Sequence, residues 1–115
     1  MAKSRSDLIY QVLYNLGVLP RGQAANTEDY NAVDDLIDPT IAMLREADVY
    51  YLADVDVIEE EAFIPLAHII AWSCASSFGQ QADSSLERMA SVNENILRAI
   101  QRERPHYDIL EVQAY

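Results

Sequence analysis

The chain has 115 residues, 50% of them hydrophobic, and this length and composition predict one domain with a buried core. Its 19 acidic and 8 basic residues give a formal net charge of −11, which disfavours ordinary DNA binding and adhesion to an anionic membrane. The single cysteine excludes an intrachain disulfide, and no apolar run is long enough to span a membrane, so we expect a protein made and used in the cytoplasm.

Two helical elements are predicted in the first half of the chain. The first begins at Ser6 as its N-cap and ends at Gly17, because glycine readily takes the left-handed conformation that closes a helix. The second is expected over residues 27–47. Pro39 lacks a backbone donor and disfavours helical geometry at Asp38, so we expect a bend there or a new segment that starts at the proline.

Residues 48–58 join the second predicted helix to the third. Apolar and acidic residues alternate over residues 54–57, which predicts an extended arm or short strand with one apolar side. Tyr50 and Tyr51 are adjacent in this arm. Because tyrosine suits an apolar but partly wet surface, both are candidate interface residues, and the edge of the core is the alternative place for them.

The third helix is predicted from about Glu60 to Phe78, with Gly79 as its end. It is apolar almost all round, so we expect it to be the central helix, with Ile69 and Trp72 buried.

The fourth helix is predicted from Ser84 or Ser85 to about Arg102. Ser84 and Glu87 have the spacing of a capping box. Helical periodicity predicts a core-facing stripe of Leu86, Met89, Val92 or Asn93, Ile96, Leu97 and Ile100.

Pro105 ends helical structure and divides the chain into a helical domain, 1–105, and an extended docking tail, 106–115. The tail is too apolar for a typical disordered terminus and too short to fold alone. It suits strand addition or groove insertion on another chain, and packing back on its own domain is the alternative. The candidate contact residues of the tail are Tyr107, Ile109, Leu110, Val112 and Tyr115.

No catalytic, cofactor or metal site is predicted, so we expect a protein that is not an enzyme. His68 lies among apolar residues, where a hydrogen-bonded core histidine is a simpler interpretation than a ligand. Cys74 suits a small buried side chain. The acidic residues within 54–61 could attract a divalent cation, but they lack the glycine of a calcium-binding loop, and a solvated acidic face is the simpler interpretation.

Several short motifs resemble the head-to-tail connector adaptors of tailed phages, especially the packaged-DNA-stabilisation proteins of short-tailed phages. As in that family, the first predicted helix ends in Leu-Gly-Val at residues 16–18, and the second carries Ala-Val-Asp-Asp-Leu at residues 32–36. Pro39 departs from the unbroken second helix of the family. Three further segments are similar, namely residues 64–67, residues 78–79 and the tail after Arg104 and Pro105.

The predicted elements indicate an all-α fold, a small four-helix bundle with an extended arm between helices two and three and an extended C-terminal tail. The resemblance implies a homo-oligomeric ring of about twelve copies in the virion, placed below the portal protein and joined to a downstream tail or nozzle protein. DNA would pass through an acidic lumen without specific binding. The alternative is a free acidic regulatory protein or DNA mimic, but the apolar tail and the tyrosines favour assembly.

Overall fold

The computed structural model describes residues 2–79 and 84–103. Over these ranges the chain forms four α-helices, and a short 3-10 turn over Ala75–Phe78 continues the third. The predicted small all-α bundle is therefore confirmed. None of the described helices is long and apolar enough to cross a membrane. The helices are α1 (Arg5–Asn15), α2 (Thr27–Glu46), α3 (Glu60–Cys74) and α4 (Ser84–Glu103).

The N-cap of α1 is Ser4, so the prediction of Ser6 was wrong. The Ser4 hydroxyl accepts a hydrogen bond from the Asp7 N–H at 3.2 Å, and the Asp7 carboxylate accepts one from the Ser4 N–H at 3.0 Å. The second of these bonds lowers the pKa of Asp7, because it stabilises the charged carboxylate. Ser6 cannot form such a pair, since Ile9 stands three residues after it and has no acceptor.

Helix α2 is continuous through Pro39, so of the two predicted outcomes, a bend or a new segment that starts at the proline, the new segment is excluded. Asp38 keeps helical geometry, and the first turn is capped by the Asn26 side chain, which accepts from the Glu28 N–H at 2.8 Å. Pro39 is exposed, and it deprives the Asp35 carbonyl of its helical donor. Because this side of α2 faces solvent, water can hydrate that carbonyl and the helix tolerates the proline.

Helix α3 is the central helix, as predicted, and it contacts α1, α2 and α4. Ile69 is buried as expected, but Trp72 is 38% exposed, so the prediction of a buried tryptophan was wrong. Trp72 and the exposed Ile64 lie on the side of α3 that no other described helix covers. When the sequence of a helix is apolar all round, its pattern does not indicate which side of the helix faces outward. The buried residues of α3 are Ala62, Phe63, Pro65, Leu66, Ala67, Ile69, Ile70, Ala71 and Cys74.

The arm between α2 and α3 is not helical and lies against its own bundle. Residues 54–57 form a turn, closed by the hydrogen bond that the Val57 N–H donates to the Asp54 carbonyl at 3.0 Å, so the extended segment predicted from their alternation was wrong. Lys3 and Ile58 exchange two backbone N–H···O=C hydrogen bonds of 2.8 Å, which form a single antiparallel bridge between the N-terminal segment and the arm. Val49 and Ile58 are buried in the core, and Leu52 and Val55 pack against it. These contacts occupy most apolar side chains of the arm, but Val57 is 56% exposed.

Candidate interaction surface

The two side chains weighed as reactive groups in the sequence, His68 and Cys74, both lie on α3. No group of three or more His, Cys, Asp or Glu residues within residues 2–79 and 84–103 could hold a metal ion. His68 is half-buried on α3, and burial lowers its pKa, which favours the neutral imidazole. Cys74 is buried, and burial raises the pKa of its thiol to about 11, so the reactive thiolate is disfavoured.

The two candidate tyrosines of the arm have different environments. Tyr50 is only 2% exposed, and its hydroxyl donates a hydrogen bond to Glu59 Oε1 at 2.7 Å. Its ring belongs to the core, so Tyr50 is removed from the candidate interface. Tyr51 is 50% exposed, and its backbone N–H donates to Gln101 Oε1 at 3.2 Å. The remaining candidates, Tyr107, Ile109, Leu110, Val112 and Tyr115, lie outside the described residues.

A shallow pocket of about 120 Å³ lies where the end of α2, the arm and the end of α4 meet. This volume is well below the ~300–1,000 Å³ of typical small-molecule sites. The pocket therefore suits one inserted side chain better than a cofactor or metabolite. It is lined by Arg45, Asp48, Tyr50, Tyr51 and Gln101.

Helix α4 carries a row of apolar side chains that face solvent. Met89 is 40% exposed, Val92 48% and Ile96 42%, so Met89 and Ile96 were placed wrongly in the predicted core stripe, and of the alternatives Val92 and Asn93 it is Asn93 that is buried. The core contact is made by other members of that stripe: Leu97 is buried, and Leu86 and Ile100 pack against the core. The Nδ2 of the buried Asn93 donates to the Met89 carbonyl at 2.7 Å. α4 packs mainly on α3, and contact with one helix covers only part of its circumference.

Helix α2 presents an outward ridge with apolar residues at its centre and carboxylates at its ends. Pro39 and Met43 are exposed between the exposed side chains of Asp35 and Glu46. These four positions follow one another at helical spacings of four, four and three residues, so they share one side of the helix. The proline noted as a helix breaker is thus part of an accessible surface.

Charge is distributed unevenly between these two helices. α2 has six acidic residues and one basic residue, whereas α4 has three of each. Arg5 of α1 neutralises part of α2, since its Nε lies 2.6 Å from Asp34 Oδ1 and its Nη1 lies 3.0 Å from Asp38 Oδ1. The hydrogen bond that the Arg5 guanidinium donates to the Asp38 carboxylate is the main reason that the pKa of Arg5 is raised. Asp35 and Glu46 form no ion pair with any described residue.

An aromatic cluster joins α1 to α2 and accounts for three more of the seven tyrosines. The ring centroids of Tyr10 and Tyr14 are 6.2 Å apart, and those of Tyr10 and Tyr30 are 6.1 Å apart, both with edge-to-face geometry. The Arg21 guanidinium lies 4.6 Å from the Tyr14 ring centroid, and the Tyr10 hydroxyl accepts from the Ala25 N–H at 3.1 Å. These contacts hold the loop between α1 and α2, and sequence reasoning detected only the one-turn spacing of Tyr10 and Tyr14.

Comparison with protein-family models, with curated proteins and with solved structures finds no match to this chain.

Proposed function

We propose that this chain is a head-to-tail adaptor of a tailed phage, which forms a ring below the portal protein and joins it to the tail. The observation that carries the proposal is the exposed apolar row on α4, Met89, Val92 and Ile96, on a small acidic helical domain. Apolar side chains at successive helical positions in water are typical of surfaces that contact other proteins. The sequence motifs that resemble connector adaptors give this assembly its proposed context.

The charge of the chain supports the proposed passage of DNA through the ring. With a net charge of −11 for each copy, a ring of copies would repel phosphates and leave DNA mobile in its lumen. Specific binding to duplex DNA would instead require basic groups that replace condensed counterions.

The C-terminal tail is the proposed contact with the portal or the adjoining ring, and its removal tests the proposal. Deletion of residues 106–115 should leave helical content and melting temperature nearly unchanged while it abolishes co-purification with the portal protein. Ile109→Asp should have the same effect, because it makes an apolar contact residue charged. Gln113→Asp is the matched control, since it adds the same charge to the same tail at a polar position.

Each result of this experiment separates two interpretations. Unfolding of the truncated protein would show that the tail belongs to the core of its own domain. Normal portal binding by a folded truncated protein would contradict the docking role.

A second candidate function is that of a free acidic regulatory protein or DNA mimic, and the exposed carboxylates of α2 favour it. Glu28, Asp35 and Glu46 lie on the outward side of that helix, where they could imitate a row of phosphates. Reversal of the charge in the first turn of α2, in Glu28→Lys, would weaken binding of a mimic to a basic site. Tail-dependent portal binding would remain in that variant, so the two functions are distinguishable.

A further inference from the structure

We propose that copies of this chain associate head to tail, with the α4 stripe of one copy packed against the α2 ridge of the next. The α4 stripe is Met89, Val92 and Ile96 with the neighbouring Arg88. The α2 ridge is Asp35, Pro39, Met43 and Glu46. This inference deepens the proposed adaptor function by naming the surfaces that contact neighbouring copies, and its closure into a ring rests on that function.

The first argument is the match between the two apolar surfaces. Met89, Val92 and Ile96 are spaced three and four residues apart, so they form one row that rises by about 10 Å along α4. On the α2 ridge, Pro39 and Met43 are exposed one turn apart. Rows of side chains with this spacing pack into each other when two helices cross with their axes about 8–10 Å apart. Methionine on both surfaces adapts to an irregular partner.

The second argument is charge. Arg88 is exposed one turn before Val92, and no described acidic residue forms an ion pair with it. Asp35 and Glu46 flank the apolar centre of the α2 ridge and have no described cation. An arginine beside the α4 stripe therefore meets a carboxylate beside the α2 ridge when the apolar centres come together.

The same charges disfavour the symmetric alternatives. Two α2 ridges packed on each other would place the carboxylates of both copies at one interface, where like charges repel. Two α4 stripes packed on each other would leave each Arg88 away from the carboxylates of the α2 ridge and leave Met43 in water. Only the heterologous contact covers both apolar surfaces and pairs opposite charges.

A heterologous contact leaves one unused surface on each end of a pair of copies. Further copies add in the same way until the rotation closes a ring or the chain of copies continues as a filament. Two different surfaces on one protomer thus permit the ring that the proposed adaptor function requires.

Disulfide trapping tests this contact in the full-length chain. Met43→Cys and Val92→Cys are made separately, one protein is labelled with 15N, and the two are mixed and mildly oxidised. Ala53→Cys is the control, because it places a thiol at another exposed position, on the arm. The native Cys74 is buried and can remain. We expect the mixed 43–92 dimer to exceed the 92–92, 43–43 and 53–92 dimers by about tenfold, since this contact alone is stabilised.

Charge reversal provides the second measurement. Arg88→Glu should lower the yield of the 43–92 dimer severalfold. Arg98→Glu should leave it nearly unchanged, because Arg98 follows Ile96 by two residues and lies about 200° around the helix. Circular dichroism checks that each variant is folded. The proposed contact would be overturned if the yield of the 43–92 dimer were no greater than that of the 53–92 control, or if the 92–92 dimer were dominant. Equal effects of Arg88→Glu and Arg98→Glu on the 43–92 yield would also overturn it.

These results can be separated from the test of the adaptor function. Efficient formation of the 43–92 disulfide without portal binding would support the head-to-tail contact and contradict the adaptor function. Portal binding without formation of the 43–92 disulfide would support the adaptor function and contradict the head-to-tail contact.

Discussion

Two adjacent residues of α4 give a sharp test of how this helix sits on the bundle. Leu97 is completely buried, whereas Ile96 is 42% exposed, although both side chains are similar in volume. Replacement of Leu97 by alanine removes about three buried carbon atoms at ~0.8 kcal/mol each and leaves a cavity, so the free energy of unfolding should fall by about 2–5 kcal/mol.

Ile96→Ala should lower the free energy of unfolding much less than Leu97→Ala. About half of its side chain is already in water, the vacated space fills with solvent, and alanine has the higher helix propensity. These effects together predict a loss below about 1 kcal/mol. For a domain of this size, 1 kcal/mol corresponds to about 4–8 °C in melting temperature, so the two variants should differ clearly.

Urea denaturation is the appropriate assay, followed by circular dichroism and by the fluorescence of Trp72, the single tryptophan of the chain. Low protein concentration keeps contacts between copies from contributing. Equal losses of stability in the two variants would refute the orientation of α4 and, with it, the exposed α4 stripe.

Four further predictions follow from local contacts and charge. Ser4→Ala should lower the free energy of unfolding by about 0.5–2 kcal/mol through loss of the N-cap, whereas Ser6→Ala should have little effect in the same denaturation assay. The folded-state pKa of Asp7 is lowered, so its stabilising contribution is present above its unfolded pKa of about 3.9 and is lost as pH falls through the folded value. The melting temperatures of the native protein and Asp7→Asn should therefore converge as the pH falls from 7 to 2.5, and a constant difference would argue against this carboxylate contact. Cys74 should remain unreactive toward a thiol reagent at pH 8 until the protein is unfolded, because the thiol is buried and its pKa is raised to about 11; rapid reaction in the folded state would contradict its placement in α3. In a gel-shift assay at physiological salt the protein should show negligible affinity for duplex DNA, and tight, salt-sensitive binding would contradict passive passage of DNA.

The existence and order of the helices could be predicted from sequence, because apolar periodicity and end signals are local. Gly17 and Gly79 have positive φ angles of 72° and 73°, as expected of residues that close a helix. The start of α1 depended on a reciprocal pair of hydrogen bonds, and Ser4 with Asp7 satisfies that requirement where Ser6 does not. The start of α1 can therefore be predicted from local chemistry when both the cap residue and its partner three residues later are considered.

The exposed surfaces could not be predicted in the same way, because burial depends on which neighbouring helix covers each side. Met89 and Val92 fit an apolar period, yet α3 covers only part of α4. Tyr50 and Tyr51 have the same side chain and adjacent positions, but only one ring enters the core. The tail residues proposed to dock on a partner lie outside the described residues, so that prediction remains for experiment.

Sedimentation velocity of the purified chain, alone and mixed with the portal protein of the phage that encodes it, tests the adaptor function most directly. The account predicts that the chain joins the fast-sedimenting boundary of the portal at a fixed ratio of copies and that deletion of residues 106–115 abolishes this co-sedimentation. A chain that sediments as the same free species with and without portal would contradict the adaptor function.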